Sequence, residues 1–300
     1  MHRKRVNSLV IIATIEDQQA MGLYKIAINS NYDVYFLSVD KLGVDWTVEI
    51  NNANVCVTYL KSIYFNVQDK NICWYLRSPY LGSKAFLQII NLLHKFLTIH
   101  AYPHHNYFYS GDNETQADSK PLHANIFPNL FPQSNIVSRI RNLKKIKNKS
   151  IVKSISNIRS EVVKLSDRRL NIQQSEKLDC PILIQSIIQG ESLKAHCYLS
   201  RKGYWHIFCV KVNNHEIDYR YDSAATYQVI DTPPIIFLYA DKCYTIFKCI
   251  FFDLDFIVSS SNEHYFLEIN FSPAPIYFEK IVWNKYMKYS SYLLSDWLTF

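Results

Sequence analysis

The sequence predicts a mixed α/β (α+β) fold, a small α/β unit followed by a larger part dominated by sheet. Three observations carry this. The chain opens on a β-α-β pattern, residues 110–119 form a polar stretch free of large apolar groups, and beyond that stretch runs rich in β-formers recur.

The apolar run Leu9 to Ile15 reads as the first strand, EDQQAMGLYKIAINSN as a helix by its apolar spacing, and DVYFLSVD as the second strand. Further strands are expected at Asn54 to Leu60 and Ile72 to Leu76, and SKAFLQIINLLHKFLTIH as an amphipathic helix with Ser83 as its cap. The linker Ser110 to Ser119 sets a boundary near residue 115. After it come a short helix around SKPLHANIFPNLF, a strand at Asn135 to Ser138, a basic helix, and the strand SIVKSIS. Then PILIQSII, LKAHCYLS and YWHIFCVKV read as strands. PPIIFLYADKCYTIFKCIFF reads as a largely buried helix starting at its prolines, and Glu279 onward as an amphipathic helix. There is no internal repeat.

With 300 residues, 48% of them hydrophobic, the chain can bury a substantial core and divide into subdomains. Seven cysteines are odd in number and form no CxxC pair, so buried thiols in a reducing cytoplasm are expected rather than a disulfide framework. The basic and apolar N-terminus is followed by acidic and amide residues with no small-residue cleavage site. It therefore reads as a strand, not a signal peptide. No apolar stretch approaches the roughly 18 to 20 residues that cross a bilayer, so no membrane partner is expected.

Charge is concentrated. From Arg139 to Arg169 there are eleven basic residues against Glu161 and Asp167, a local +9 that exceeds the +7 of the whole chain. The expected partner is therefore anionic. Nucleic acid is not the expected one, because the cluster lacks interleaved aromatics and any familiar binding motif.

The most informative segment is YFLEINFSPAP. Glu268 and Asn270 stand two apart on an expected strand and so point to one face, while Asp255 lies on the preceding strand across the polar turn SSSNE. A hairpin would bring these three oxygen donors together as a magnesium platform completed by phosphate oxygens.

This segment resembles the last motif of the ATP-grasp ligases, where an Asp on one strand and a Glu-x-Asn on the next hold the magnesium ions of ATP; SPAP resembles the loop that follows. The resemblance implies an ATP-grasp fold with an N-terminal pre-ATP-grasp α/β domain (1–115), a central subdomain (116–185) and a C-terminal subdomain with the magnesium site (186–300), ATP being held between the two sheet-containing subdomains. It further implies that Lys120 in SKP and Lys153 in SIVKSIS hold the nucleotide. On the hinge strand in LIQSIIQGE, the backbone of Gln185 and Ile187 would pair with adenine, although the usual acidic residue after the Gln is Ser186 here. Lys194 stands where the family's Ile-Arg-Val strand has its Arg, exchanging a planar fork for a point charge. DYR resembles the Asp-Trp-Arg motif of one branch and makes Arg220 a phosphate or acyl-phosphate contact. His196, two residues after Lys194 and on the same strand face, is the candidate general base.

WYLRSPY resembles the Trp-x-x-Arg-x-Pro segment of the microviridin-type peptide maturases, the graspetide or ω-ester macrocyclases. The resemblance implies ATP and Mg2+ as cofactors and a precursor peptide with a leader segment as partner, with homodimerisation common in the superfamily. Its Asp or Glu side chains would be activated as acyl phosphates and joined to Ser, Thr or Lys. The chain has only six Gly, none between residues 112 and 189, so a phosphate-covering lid would be built from Ser, Asn and Arg, as in SISNIRS. Two other readings stay open: a ligase joining an amino acid or small amine to a carboxylate, and a degenerate ATP-grasp domain that binds peptide without catalysis.

Overall fold

The computed structural model describes residues 8–51, 54–69, 71–76, 92–93, 120–139, 149–155, 162–166, 177–200, 202–214, 217, 222–247, 249–271 and 280–298. The expected helix at 83–100, apart from residues 92–93, the linker and most of the basic helix after Arg139 lie outside them.

The first unit is built on strand β1 (Ser8–Ala13), with β2 (Val34–Ser38) and β6 (Ile72–Leu76) parallel to it on either side. A strand flanked in parallel and covered on both faces needs apolar residues throughout, which is why SLVIIA does not alternate. Leu9, Ile11 and Ala13 face one core, and Val10 and Ile12 face another. Helix α1 (Gln18–Asn29) starts where the Asp17 carboxylate accepts from the Ala20 N–H at 2.9 Å. It buries Ala20, Leu23 and Ala27 on the first of these cores. The second core is closed by a meander of β3 (Trp46–Asn51), β4 (Asn54–Tyr59) and β5 (Ile63–Asn66), with Trp46, Val57 and Phe65 packed against Trp74. Of this meander only β4 is expected from the sequence. WTVEIN in β3 does alternate apolar and polar residues, a signal that the sequence reading passed over, whereas IYFN in β5 is too short to show a period and is held by its pairing with β4.

Among the described residues that follow, two antiparallel sheets predominate, as expected. Helix α2 (Lys120–Ile126) precedes β7 (Ser134–Arg139), β8 (Ser150–Ser154), β9 (Val163–Lys164) and β10 (Lys177–Ser186), an antiparallel sheet in the order β7-β10-β8-β9. A second antiparallel sheet is formed by β11 (Gly190–Leu199), β12 (Trp205–Asn213), β13 (Thr226–Ile230), β14 (Phe251–Ser259) and β15 (His264–Asn270), in the order β13-β12-β11-β14-β15. Helix α3 (Pro234–Phe247) covers one face through Ile236, Ala240, Cys243 and Phe247. It is shorter than the sequence suggests and buried on one side only, leaving Leu238 63% exposed. Phe251 and Phe252 belong to β14 instead, where successive side chains point to opposite faces and each ring is buried in a different core. Helix α4 (Lys280–Leu298) crosses the other face and meets α1. A Cβ on Gly22 of α1 would lie 2.7 Å from the terminal methyl of Met287, which would have to swing aside. Cys56, Cys73, Cys197, Cys209, Cys243 and Cys249 are free thiols, and no described helix is long and apolar enough to cross a membrane.

Candidate active site on the second sheet

Strands β14 and β15 form the expected hairpin, and its register does more than bring the donors to one end. Asp255 lies opposite Glu268 and Asp253 opposite Asn270, while across β11 Lys194 lies opposite Asp255 and His196 opposite Asp253. Directly opposed residues share a face. The result is a two-row array, Lys194, Asp255 and Glu268 in one row and His196, Asp253 and Asn270 in the next.

A bulge makes the array compatible with the core. Phe256 pairs with Phe266, one residue out of step with Asp255 and Glu268, so Leu267 has no residue opposite it. Without that extra residue Phe266 would share a face with Glu268. With it, Phe266 turns into the core beside Phe256 and Ile269, and Glu268 and Asn270 turn to the other side. Bulges commonly re-aim side chains at sites in this way. The alternation rule placed Glu268 and Asn270 together correctly, but nothing in HYFLEIN announces the bulge.

Three lysines converge on the carboxylates. Lys194 Nζ is 2.9 Å from Asp255 Oδ1 and 3.5 Å from Asp253 Oδ2. Lys120 Nζ is 3.6 Å from Glu268 Oε2. Burial alone pushes the Glu268 carboxyl up, but Lys120, Lys153 and Lys194 together outweigh it and hold the group below its ordinary range. Asp255 goes the other way, raised by burial and by the charges of Glu268 and Asp253 against the pull of Lys194. Two neighbouring carboxylates with opposed shifts titrate as a pair.

Helix α2 delivers Lys120. Pro121 suits its first turn, and the segment is pinned at its start, where the Lys120 N–H donates to the Ile155 carbonyl at 3.1 Å, and just beyond the helix, where the Leu130 carbonyl accepts from the Phe266 N–H at 3.0 Å. Phe127 and His123 pack on Phe266, with ring centroids 4.4 and 6.0 Å away. The segment thereby ties the first antiparallel sheet to the edge of the second.

Lys153 reaches from β8 to Gln185 on β10, whose Oε1 accepts from Nζ at 2.9 Å, while Gln185 Nε2 donates to Ser134 Oγ at 3.2 Å. Gln185 lies opposite Ile151, so Lys153 is its diagonal neighbour on one face. This alters the expected hinge. Gln185 lies between two ladder partners with its side chain bonded to Lys153 and Ser134, and the Ile187 N–H, expected to face adenine, donates to the Lys149 carbonyl at 3.1 Å. Ser134, which fixes the Gln185 amide, carries no signal in the sequence. The contrast between the two lysines of this region is testable. Lys153→Ala should weaken ATP binding about tenfold, the scale of one charge-assisted hydrogen bond, whereas exposed Lys149→Ala should change it less than about twofold. Equal losses in a nucleotide titration would assign the effect to diffuse charge.

His196 is displaced from its expected role. It is 0% exposed, with Nδ1 2.5 Å from Asp253 Oδ1 and its ring against Phe208 and Tyr286. A general base must touch the reacting atoms, and helix α4 closes over this ring. Asp253, also 0% exposed, is the site residue that sequence reading passed over. Its signal was present, since Asp253 and Asp255 are two apart on one strand and must share a face.

Arg220, the remainder of DYR, residues 77–80 of WYLRSPY, the SPAP loop and most of SISNIRS lie outside the described residues. Among the described residues, no three His, Cys, Asp or Glu side chains form a ready-made metal cluster. The donors that fit magnesium are the carboxylates of Asp255 and Glu268 with the Asn270 amide, hard oxygens that need phosphate to complete a shell. The lysine ammoniums stand against both carboxylates where cations would stand.

No protein-family model matches the chain, and no curated protein matches it. Solved structures do. The macrocyclase MdnC from Microcystis aeruginosa MRC, bound with the precursor peptide MdnA, superposes with a TM-score of 0.69 at 14% identity, covering 96% of this chain and 99% of that one. The ATP-grasp ligase PsnB, complexed with minimal precursor, Mg and ADP, superposes with a TM-score of 0.65 at 14% identity, covering 88% and 89%. D-alanyl-alanine synthetase A from Vibrio cholerae O1 biovar eltor matches with a TM-score of 0.57 at 11% identity, covering 99% of each chain. The chain has the ATP-grasp fold that its last motif led us to expect.

Proposed function

We propose that the chain is an ATP-dependent carboxylate ligase that activates Asp or Glu side chains of a ribosomally made precursor peptide and closes ester or amide macrocycles. The observation that carries this reading is the convergence of Lys120, Lys153 and Lys194 on Glu268 and Asp255 within an ATP-grasp fold. Three cations and adjacent hard-oxygen donors suit a ligand that is itself a polyanion with its own metal. When bound, ATP would supply the phosphoryl group that turns a carboxylate into an acyl phosphate, and magnesium would offset the phosphate charge. Asp255, Glu268 and Asn270 would hold the metal. Lys120 would release Glu268 and Lys194 would release Asp255, both turning to phosphate oxygens, and Gln185 would keep Lys153 at the right height in the cleft. Their contribution is positioning and fixed charge.

The peptide substrate is favoured over a small amine by the better superposition on the macrocyclase than on the D-alanyl-alanine synthetase. The test is mass spectrometry of the chain with ATP, magnesium and synthetic short peptides rich in Thr and in Glu or Asp, each with a leader segment, with loss of one water per ring expected. An unmodified peptide, together with turnover of free amino acids, would move the assignment to the small-substrate ligase.

The basic excess between Arg139 and Arg169 is larger than ATP phosphates require and suits a separate docking place for an acidic leader. Docking raises the local concentration of the attached core, so one loosely selective site could make several links. A labelled leader lacking its core should bind in fluorescence anisotropy and weaken as salt rises to physiological levels, since exposed charges are screened over roughly 8 to 10 Å there. Tight binding of core alone with none of leader would remove the two-site arrangement.

A further inference from the structure

We propose that Asp253, held by His196, is a positioning residue that keeps Lys194 aimed at the nucleotide when Asp255 turns to the metal. This rests on the nucleotide site proposed above. Lys194 Nζ is shared between Asp255 at 2.9 Å and Asp253 at 3.5 Å. The two acceptors differ in kind. Asp255 is partly exposed at the rim and is a proposed metal ligand, whereas Asp253 is wholly enclosed, with Oδ1 on His196 Nδ1 at 2.5 Å and Oδ2 toward Lys194. A carboxylate only accepts hydrogen bonds, so His196 donates from Nδ1. Both oxygens of Asp253 are thus committed to protein partners, and no metal can take them without breaking a buried pair.

The surroundings hold this pair rigid. The His196 ring lies 4.9 Å from the Tyr286 ring and 5.9 Å from that of Phe208. The Tyr289 hydroxyl donates to the His196 carbonyl at 3.1 Å, and Gln19 Nε2 of α1 donates to the Tyr286 hydroxyl at 2.8 Å. Helices α1 and α4 therefore both brace the pair. A flexible lysine stem loses its direction when its only anchor is taken by a cation; a second, immobile anchor preserves it.

The experiment is calorimetric titration of ADP into the full chain at fixed, saturating Mn2+, with thermal melts to check folding. Asp253→Asn and His196→Leu should each weaken ADP roughly tenfold, the scale of one charge-assisted hydrogen bond. His196→Asn, whose amide N–H can stand where Nδ1 stands, should stay within about twofold of the wild type. In a Lys194→Met background, Asp253→Asn should add less than about twofold, because a residue acting through Lys194 has nothing left to position. The same tenfold loss in that background, or His196→Asn as weak as His196→Leu, would overturn the proposal. Should His196→Leu fail to fold, the nearly isosteric Asp253→Asn carries the test alone. Wild-type binding with unaltered variants would defeat the positioning pair only, whereas no ADP binding by the wild type would defeat the nucleotide site and the pair together.

Discussion

Glu268→Gln should lower nucleotide turnover by about two to three orders of magnitude while leaving the fold intact, the scale of losing one preorganised electrostatic partner. Glu268 is the residue on which the site's charges converge, with Lys120 at 3.6 Å and the fields of Lys153 and Lys194 holding its carboxyl ionised. An amide of the same shape keeps the packing but removes a full charge from the metal platform, so phosphate repulsion goes uncompensated. Glu263→Gln, in the turn of the same hairpin, provides the control. It is exposed, its carboxylate accepts from Ser261 and Tyr265 at the far end of the hairpin from the site, and Glu263→Gln should turn over as the wild type does. Coupled-assay rates for the two variants settle the matter, and wild-type turnover by Glu268→Gln would remove the active site from this hairpin.

Phe266→Ala should cost about 3 to 5 kcal/mol of stability, the usual range for truncating a buried aromatic. The ring is fully buried and packs on Phe127, Phe256 and His123. It is also the seat of helix α2, so the variant should bind nucleotide more weakly than its stability loss alone explains, Lys120 having lost its fixed approach to Glu268. Denaturant midpoints, with an ADP titration under folding conditions, measure both effects. Ile50→Ala, at an exposed strand position, should stay within about 0.5 kcal/mol of the wild type. A Phe266→Ala loss below about 1 kcal/mol would mean that the bulge is not what turns this ring into the core.

How much of this was legible follows from what each signal depends on. The order of most elements was written in local pattern: the unbroken apolar run of β1, the helical spacing after Asp17, and the alternating strands β11, β12 and β14. So was the common face of Glu268 and Asn270, because side-chain alternation along a strand is a local property of the pleat. The family likeness of the Asp255 to Asn270 segment was legible for the same reason, since its spacing lies within one hairpin.

Everything that depends on two distant segments was decided by the tertiary structure. The pairing of His196 with Asp253, 57 residues on, made a site histidine into a buried brace and a neglected aspartate into its partner. The choice of Gln185 as the hand that holds Lys153 required the register between β8 and β10, which no reading of either strand alone contains. The bulge at Leu267 arises because Phe266 and Glu268 must face opposite ways, toward core and cleft, within one short strand. Sequence determines which side chains a segment can offer to each face. Only the packing of that segment against others, through burial and charge pairing, decides which offered group is buried, which is aimed and which is left to bind.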